Sequence, residues 1–446
     1  MSPDAGREVV VVGATLAGMA AAARLAKAGH PVRLLERGDR LGGRHAPREL
    51  TGHPGTVVDA LPGVLTFPAP WRDLFKKSGR AMDAELTRAG LALVPGPPAV
   101  HQLRDGTELV LPAERAEQHA ALSATVGPAA AGRWRDLLDH LLRVWQVLRP
   151  LGMELELRRR NQLTPTSRRL LALDRSVADL AEDLRDERLA TLVRSVALRA
   201  GSDPARTPAF RAAELVVTRT FGRWVLVDRD QRPVAPSRLV ELLGERLRLR
   251  RVTLDLGRTA TALDVAAGRV RALRTDQGDL TDVAVVSTLH PWHHLALSPR
   301  ALRTTDRLRL RRARPALAPA LHHRLLDTGD AGAAAIHGVS ELVEHTPAGP
   351  VVRYHRAGAG GVVESVHDHT DASPDPGYGL AWRGASSWWS MPPVSTGVDG
   401  LWTAGPHSRG GNHVSQVLLS GALASYAVHE REPVAAPGRV MRPPRG

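Results

Sequence analysis

Glu8-Val9-Val10-Val11-Val12-Gly13-Ala14-Thr15-Leu16-Ala17-Gly18 is the stretch on which the fold turns. Four β-branched residues read as a buried strand, and the glycine-bounded run after them reads as a tight turn. Met19 to Ala28 is alanine-rich and favours helix, Gly29 stops it, and Val32-Arg33-Leu34-Leu35 is a second extended run ending at Glu36. Strand, glycine turn, helix and strand make a βαβ unit. Its turn aims unpaired helix N–H groups at one point, where a pyrophosphate meets the positive end of the helix dipole. Gly13 suits the turn and Gly18 suits close packing of helix on strand. Thr15 occupies the middle position that usually carries glycine, so its backbone is the expected contact. Glu36, at the end of the second strand, is placed to accept from a ribose 2′-OH.

The chain continues Glu36-Arg37-Gly38-Asp39-Arg40-Leu41-Gly42-Gly43-Arg44. Two adjacent glycines and an arginine suit a second approach of backbone and guanidinium to a dinucleotide phosphate. This acidic residue, short spacer and Gly-Gly-Arg resemble the start of the FAD-binding amine oxidase and carotenoid (phytoene) desaturase superfamily. A later stretch, Leu401-Trp402-Thr403-Ala404-Gly405-Pro406-His407-Ser408-Arg409-Gly410-Gly411-Asn412, followed by a small-residue helix, is similar to that superfamily's last flavin-binding segment.

The resemblance implies an α/β fold: a Rossmann-like FAD-binding domain with a mainly parallel sheet, and an inserted mixed α+β substrate domain. It implies FAD, held by the run Gly13, Ala14, Thr15, Leu16, Ala17 and Gly18, by Glu36 and Arg37, by Gly42, Gly43 and Arg44, by Ala260, and by Gly405, Gly411 and Val414. It also implies hydride removal from a C–H bond of a hydrophobic or natural-product substrate. The aromatic cluster Tyr378, Trp382, Trp388 and Trp389 is expected to wall the substrate pocket or to pack the core.

Four positions depart from the family pattern. Thr15 replaces a glycine, Leu61 stands where a glycine follows Asp59, Pro406 replaces an aspartate that binds the flavin's ribityl or phosphate region, and Asp228 to Pro233 lacks a Gly-Gly pair. Ser408 and Asn412 are candidate substitutes for the aspartate. The departures keep a second reading open, a flavin-free isomerase, cyclase or binding partner on the same fold.

With 446 residues the chain exceeds what one core usually spans, about 250–300 residues, so two domains are expected. The FAD-binding part is assigned to 1–78, 221–300 and 390–430, the substrate part to 79–220 and 301–389, and a disordered tail to 431–446. The absence of cysteine excludes disulfides, thiolate metal sites and thiol nucleophiles, and fits a cytoplasmic protein. No apolar run reaches the roughly 18 residues of a membrane span, while peripheral membrane contact stays open. Val9 to Ala23 mimics a signal-peptide core, but its glycine turn and following strand favour nucleotide binding.

The net charge of +14 invites a nucleic-acid reading. Lys27, Lys76 and Lys77 are the only lysines, and the arginines are scattered rather than striped, so no nucleic-acid partner is expected. A small hydrophobic molecule is the expected partner; the catalytic residue and the oligomeric state do not follow from the sequence. His290, His293, His294, His322, His323, His367 and His369 are read as loop or solvent histidines, with no metal site.

Trp134 to Leu148 has helical periodicity, with packing favoured over a substrate tunnel, and Asp179 to Leu198 reads as one further helix. Leu91 to Val110 reads as a strand pair turning at Arg104-Asp105-Gly106-Thr107. Leu317 to Asp327 and Val351 to Tyr354 read as substrate-domain strands, and His355 to Gly377 as a short polar connection.

Overall fold

In the computed structural model, which describes residues 6–327, 337–358 and 360–434, all four valines of β1 (Val9–Val12) are buried. A continuous apolar run rather than an alternating one marks a strand covered on both faces. β1 lies at the centre of a five-stranded sheet. Its neighbours are Ala284–Ser287 and β2 (Val32–Glu36), with Leu401–Thr403 and Thr253–Leu256 at the edges. Every pairing in this sheet is parallel. The chain therefore leaves the sheet after Glu36 and returns to it near residues 253, 284 and 401.

Helix α1 (Leu16–Lys27) follows β1, and its residues from Leu16 to Leu25 are all buried. It packs against the C-terminal helix Val414–Arg431 through small side chains. A Cβ at Gly421 would lie 2.4 Å from the Ala17 carbonyl oxygen, so that glycine sets the spacing of the two helices.

The other large sheet has six strands in the order Pro315–Leu326, Gly361–Leu380, Pro350–Gly358, Val339–His345, Ala99–Gln102 and Glu108–Leu111. It is antiparallel except where Val339–His345 runs parallel to Ala99–Gln102. Its longest strand occupies most of the stretch expected to be a polar connection between His355 and Gly377. The histidines, aspartates, glycines and prolines there argue for a loop on local propensity. Pairing on both sides supplies the backbone hydrogen bonds instead, and strand preference yields to that context.

Three further differences have equally local causes. Leu91–Pro95 pairs with Trp224–Asp228, so the hairpin is formed by Ala99–Gln102 and Glu108–Leu111 alone. The helix expected over Asp179 to Leu198 is two, Val177–Asp183 and Glu187–Arg199. Asp186 starts the second by accepting from the N–H groups of Arg188 (3.1 Å) and Leu189 (3.3 Å). The helix at the C-terminus extends through Arg431, and the remainder of the expected tail, 435–446, lies outside the described residues.

Trp134, Leu138, Leu141, Trp145 and Leu148 of helix Pro128–Leu148 face a helical core that also holds Phe210, Trp382 and Trp388. The parallel sheet thus draws on both ends and the middle of the chain. The six-stranded sheet draws on what lies between.

Candidate functional site

The turn after β1 is fixed by contacts that tolerate no side chain. Gly13 has φ +98°, and a Cβ there would lie 2.4 Å from Thr288 Oγ1. A Cβ at Gly18 would lie 2.1 Å from the Gly13 carbonyl oxygen. Thr15 is the N-cap of α1, and its hydroxyl accepts from the Gly18 N–H at 3.3 Å. Its β-branched side chain is turned back onto the helix. Glu36 ties the turn to the end of β2: one carboxylate oxygen accepts from Ala14 N–H (2.8 Å), the other from Gly38 N–H (2.9 Å). The Gly42 N–H donates to the Ala14 carbonyl at 2.7 Å, which brings the Gly-Gly-Arg run against the same turn.

These segments line one wall of a cavity of about 820 Å³. Gly13, Thr15, Leu16, Glu36, Arg37, Gly42, Gly43, Arg44 and Ala260 all border it, and so do Tyr378, Pro406, Asn412 and Val417 from the far end of the chain. The cavity sits at the carboxyl ends of the parallel strands, where open α/β sheets take their ligands. Its volume falls in the range of about 300–1,000 Å³ usual for small-molecule sites.

Ala14, Ala17 and Gly18 are buried beneath this wall rather than on it. Gly405 and Gly411 shape the loop. The first, at φ +137°, donates its N–H to Ser420 Oγ at 2.9 Å, and the second, at φ +111°, leaves room for the Gln416 side chain. Val414 borders a smaller neighbouring chamber. Of the aromatic cluster, only Tyr378 borders the cavity. Trp382 meets Phe210 edge-on and Trp388 lies tilted against it in the helical core, at centroid distances of 5.7 and 4.8 Å, and Trp389 borders a separate arginine-lined groove.

The four departures separate in space. Leu61 is 2% exposed and belongs to the main core, while its N–H donates to Asp59 at 2.8 Å. The stretch Asp228 to Pro233 is a turn closed by Asp228, which accepts from the Asp230 and Arg232 N–H groups, and it does not border the cavity. Thr15 and Pro406 do border it.

Several cavity residues escaped sequence reasoning. Thr288 donates from its hydroxyl to the Val12 carbonyl at 2.9 Å, clamping the strand Ala284–Ser287 to β1. Arg258, His290, His293 and Asp375 also border the cavity. A signal existed for Thr288 and His290, since both follow directly on a buried parallel strand. None existed for Asp375, which meets Arg44 at 3.0 Å across 331 positions of sequence.

Arg37, Arg40, Arg44, Arg48 and Arg258 outnumber Glu36, Asp39 and Asp375 around the cavity, so its field favours an anion such as a pyrophosphate. Burial pushes His407 down to about 3, with His294 and His290 adding repulsion. Burial likewise pushes His45 down to about 3, followed by the effects of Arg44 and His367. These imidazoles are neutral near pH 7. Among the described residues no three His, Asp or Glu side chains are arranged to share a metal ion.

The residues present fit a dinucleotide. Close approach to the turn after β1 is free of side chains at Gly13, the α1 N-terminus faces the cavity, and Glu36 keeps lone pairs beyond its two backbone bonds. The turn and its helix have the form of a Rossmann-type domain. Residues 11–78 match the family model of an NAD(P)-binding Rossmann-like domain. The chain is 32% identical over 284 residues to phytoene dehydrogenase of Streptomyces griseus, covering 63% of this chain and 54% of that one. It is 32% identical over 278 residues to hydroxyneurosporene desaturase of Cereibacter sphaeroides, covering 59% and 54%. The chain spans about half the length of these curated relatives. Cyclohexylamine oxidase from Brevibacterium oxydans has a similar fold, with a TM-score of 0.63, 16% identity, and coverage of 95% and 99% of the two chains. In sequence the chain is thus similar to carotenoid desaturases over part of their length, and in fold to an amine oxidase.

Proposed function

We propose that the chain is an FAD-dependent oxidoreductase acting on a small molecule with an apolar body. The observation that carries this reading is the single cavity joining Glu36 and the α1 N-terminus to the loop around Pro406 and Asn412, residues that lie almost 400 positions apart. A dinucleotide with a ring system at each end is a ligand that needs both regions at once. The similarity to phytoene dehydrogenase and hydroxyneurosporene desaturase supports a desaturation or dehydrogenation of this general type.

In this reading Glu36 takes the adenosine ribose, Ala260 lies beside the adenine, and the Gly13 to Leu16 turn meets the pyrophosphate. Gly43 and Arg44 supply a second contact to the phosphates. Pro406, Asn412 and Val417 border the flavin end. When bound, the flavin supplies a hydride acceptor for a substrate C–H bond.

The chain's own residues hold and orient. Arg44 lies over the Tyr378 ring at 4.7 Å and pairs with Asp375, which fixes the wall between the cavity and the chamber beside it. The Tyr378 hydroxyl donates to the Arg199 carbonyl at 2.6 Å, so its proton is already committed. The neutral imidazole of His45 keeps positive charge from accumulating there. No described helix is long and apolar enough to cross a membrane.

The test is direct. Purified protein is expected to take up FAD, seen as flavin absorbance retained after desalting and a raised melting temperature. A colourless protein whose melting temperature ignores FAD overturns the proposal and returns the flavin-free reading.

A further inference from the structure

Beside the large cavity lies a chamber of about 90 Å³ that shares Arg44, His45, Tyr378 and Asn412 with it. Its wall is part apolar, and its polar members include Arg199, Tyr354, His367 and His369. The charge balance of this chamber is unequal. Glu341, 4% exposed, is held by Arg223, whose own side chain is only 6% exposed and also donates to the Pro97 carbonyl. Arg199 stands farther off, 3.6 Å from the other Glu341 oxygen and 3.4 Å from the Tyr354 hydroxyl. It keeps 34% of its side-chain surface open and borders the chamber. One carboxylate thus serves two guanidiniums, and the one left over faces the chamber.

Among the described residues no carboxylate borders the chamber. Arg44 is balanced by Asp375. His45, His367 and His369 are each pushed down to about 3, chiefly by burial, so they carry no charge near neutrality. Two of their buried nitrogens, His367 Nε2 and His369 Nδ1, have no hydrogen-bond partner among the described residues. A guanidinium facing a small, partly apolar chamber is costly against hydrocarbon and favourable against an anion that accepts its fork of N–H donors.

We propose that this chamber receives a carboxylate on the substrate, gripped by Arg199 with Tyr354 and His367 beside it, while the apolar body lies toward the large cavity. The surplus of one positive charge and the small volume favour a monoanionic carboxylate over a phosphate. The proposal rests on the flavoenzyme reading for the words "substrate" and "large cavity", but its binding test needs no flavin.

Phenylacetate and phenylacetamide, nearly equal in shape and different in charge, are titrated into the protein with and without added FAD, and melting temperature is recorded alongside flavin absorbance. Phenylacetate is expected to raise the melting temperature where the amide does not. Arg199→Gln is expected to weaken phenylacetate binding by at least about tenfold, with Arg199→Lys in between. Equal binding of acid and amide to the unaltered protein overturns the proposal, as does undiminished binding by Arg199→Gln. The acid and amide comparison stands even where a variant fails to fold. Flavin uptake without acid selectivity sinks this inference and leaves the flavoenzyme standing. Acid selectivity without flavin uptake does the reverse.

Discussion

Gly18 and Glu36 have roles that spacing alone exposes, and each carries a prediction. The Cβ of Gly18→Ala falls 2.1 Å from a backbone oxygen, which cannot swing aside as a side chain can. The variant should lose about 1–3 kcal/mol and melt several degrees lower; an unchanged melting temperature would show that β1 and α1 can part without penalty. Glu36→Ala leaves the Ala14 and Gly38 N–H groups without their acceptor. It should cost about 1–3 kcal/mol of stability and weaken FAD binding by more than about tenfold, measured by flavin titration of the folded variant. Arg199 and Thr288 were not legible in this way. Arg199 looks like any of the chain's many arginines until the fold sets it beside Tyr354, and Thr288 acquires its role only where its strand meets Val12.

Two glycines inside helices separate element from context. Gly132 lies in Pro128–Leu148 with open space around its would-be Cβ, whereas Gly421 lies in Val414–Arg431 against the Ala17 carbonyl oxygen. Gly132→Ala should stabilise by about 0.5–1 kcal/mol through reduced unfolded-state freedom. Gly421→Ala should destabilise, because separating α1 from its partner outweighs that gain. Denaturant melts of the two variants provide the check, and a gain from both would mean that the helix contact is loose. The same contrast explains which elements were readable. Helix Pro128–Leu148 has a regular apolar stripe, while the strand Gly361–Leu380 has a composition that suits a loop and exists because strands pair on both its sides.

Across the whole molecule, burial of neutral histidines sets a pH response. His407, His45, His367 and His369 are held down to about 3, and His294 and His345 to about 4, in each case with burial as the leading cause. In the unfolded chain such groups take up protons near pH 6.5 or so. The unfolded state therefore binds more protons at acid pH, and stability rises with pH there. Stability should be intact above about pH 6.5 and erode steadily as pH falls toward 4, visible as a falling urea midpoint. His30, depressed to about 4 by burial and by His429, gives a local control. His30→Asn should flatten part of that slope, and an unchanged slope would place the acid sensitivity elsewhere.

The sequence by itself determined the βαβ unit and the place of Glu36 at the end of its second strand, because each lies in a short stretch whose backbone chemistry is local. It also located the C-terminal return of the chain to the same sheet. Only the tertiary structure decided that Leu61 and the Asp228 to Pro233 turn lie off the cavity, and that Trp382 and Trp388 pack a core. It alone sets two arginines, Arg199 and Arg223, on the one carboxylate of Glu341. Those outcomes depend on which segments meet across hundreds of residues, and burial and charge balance are properties of that meeting rather than of any one stretch.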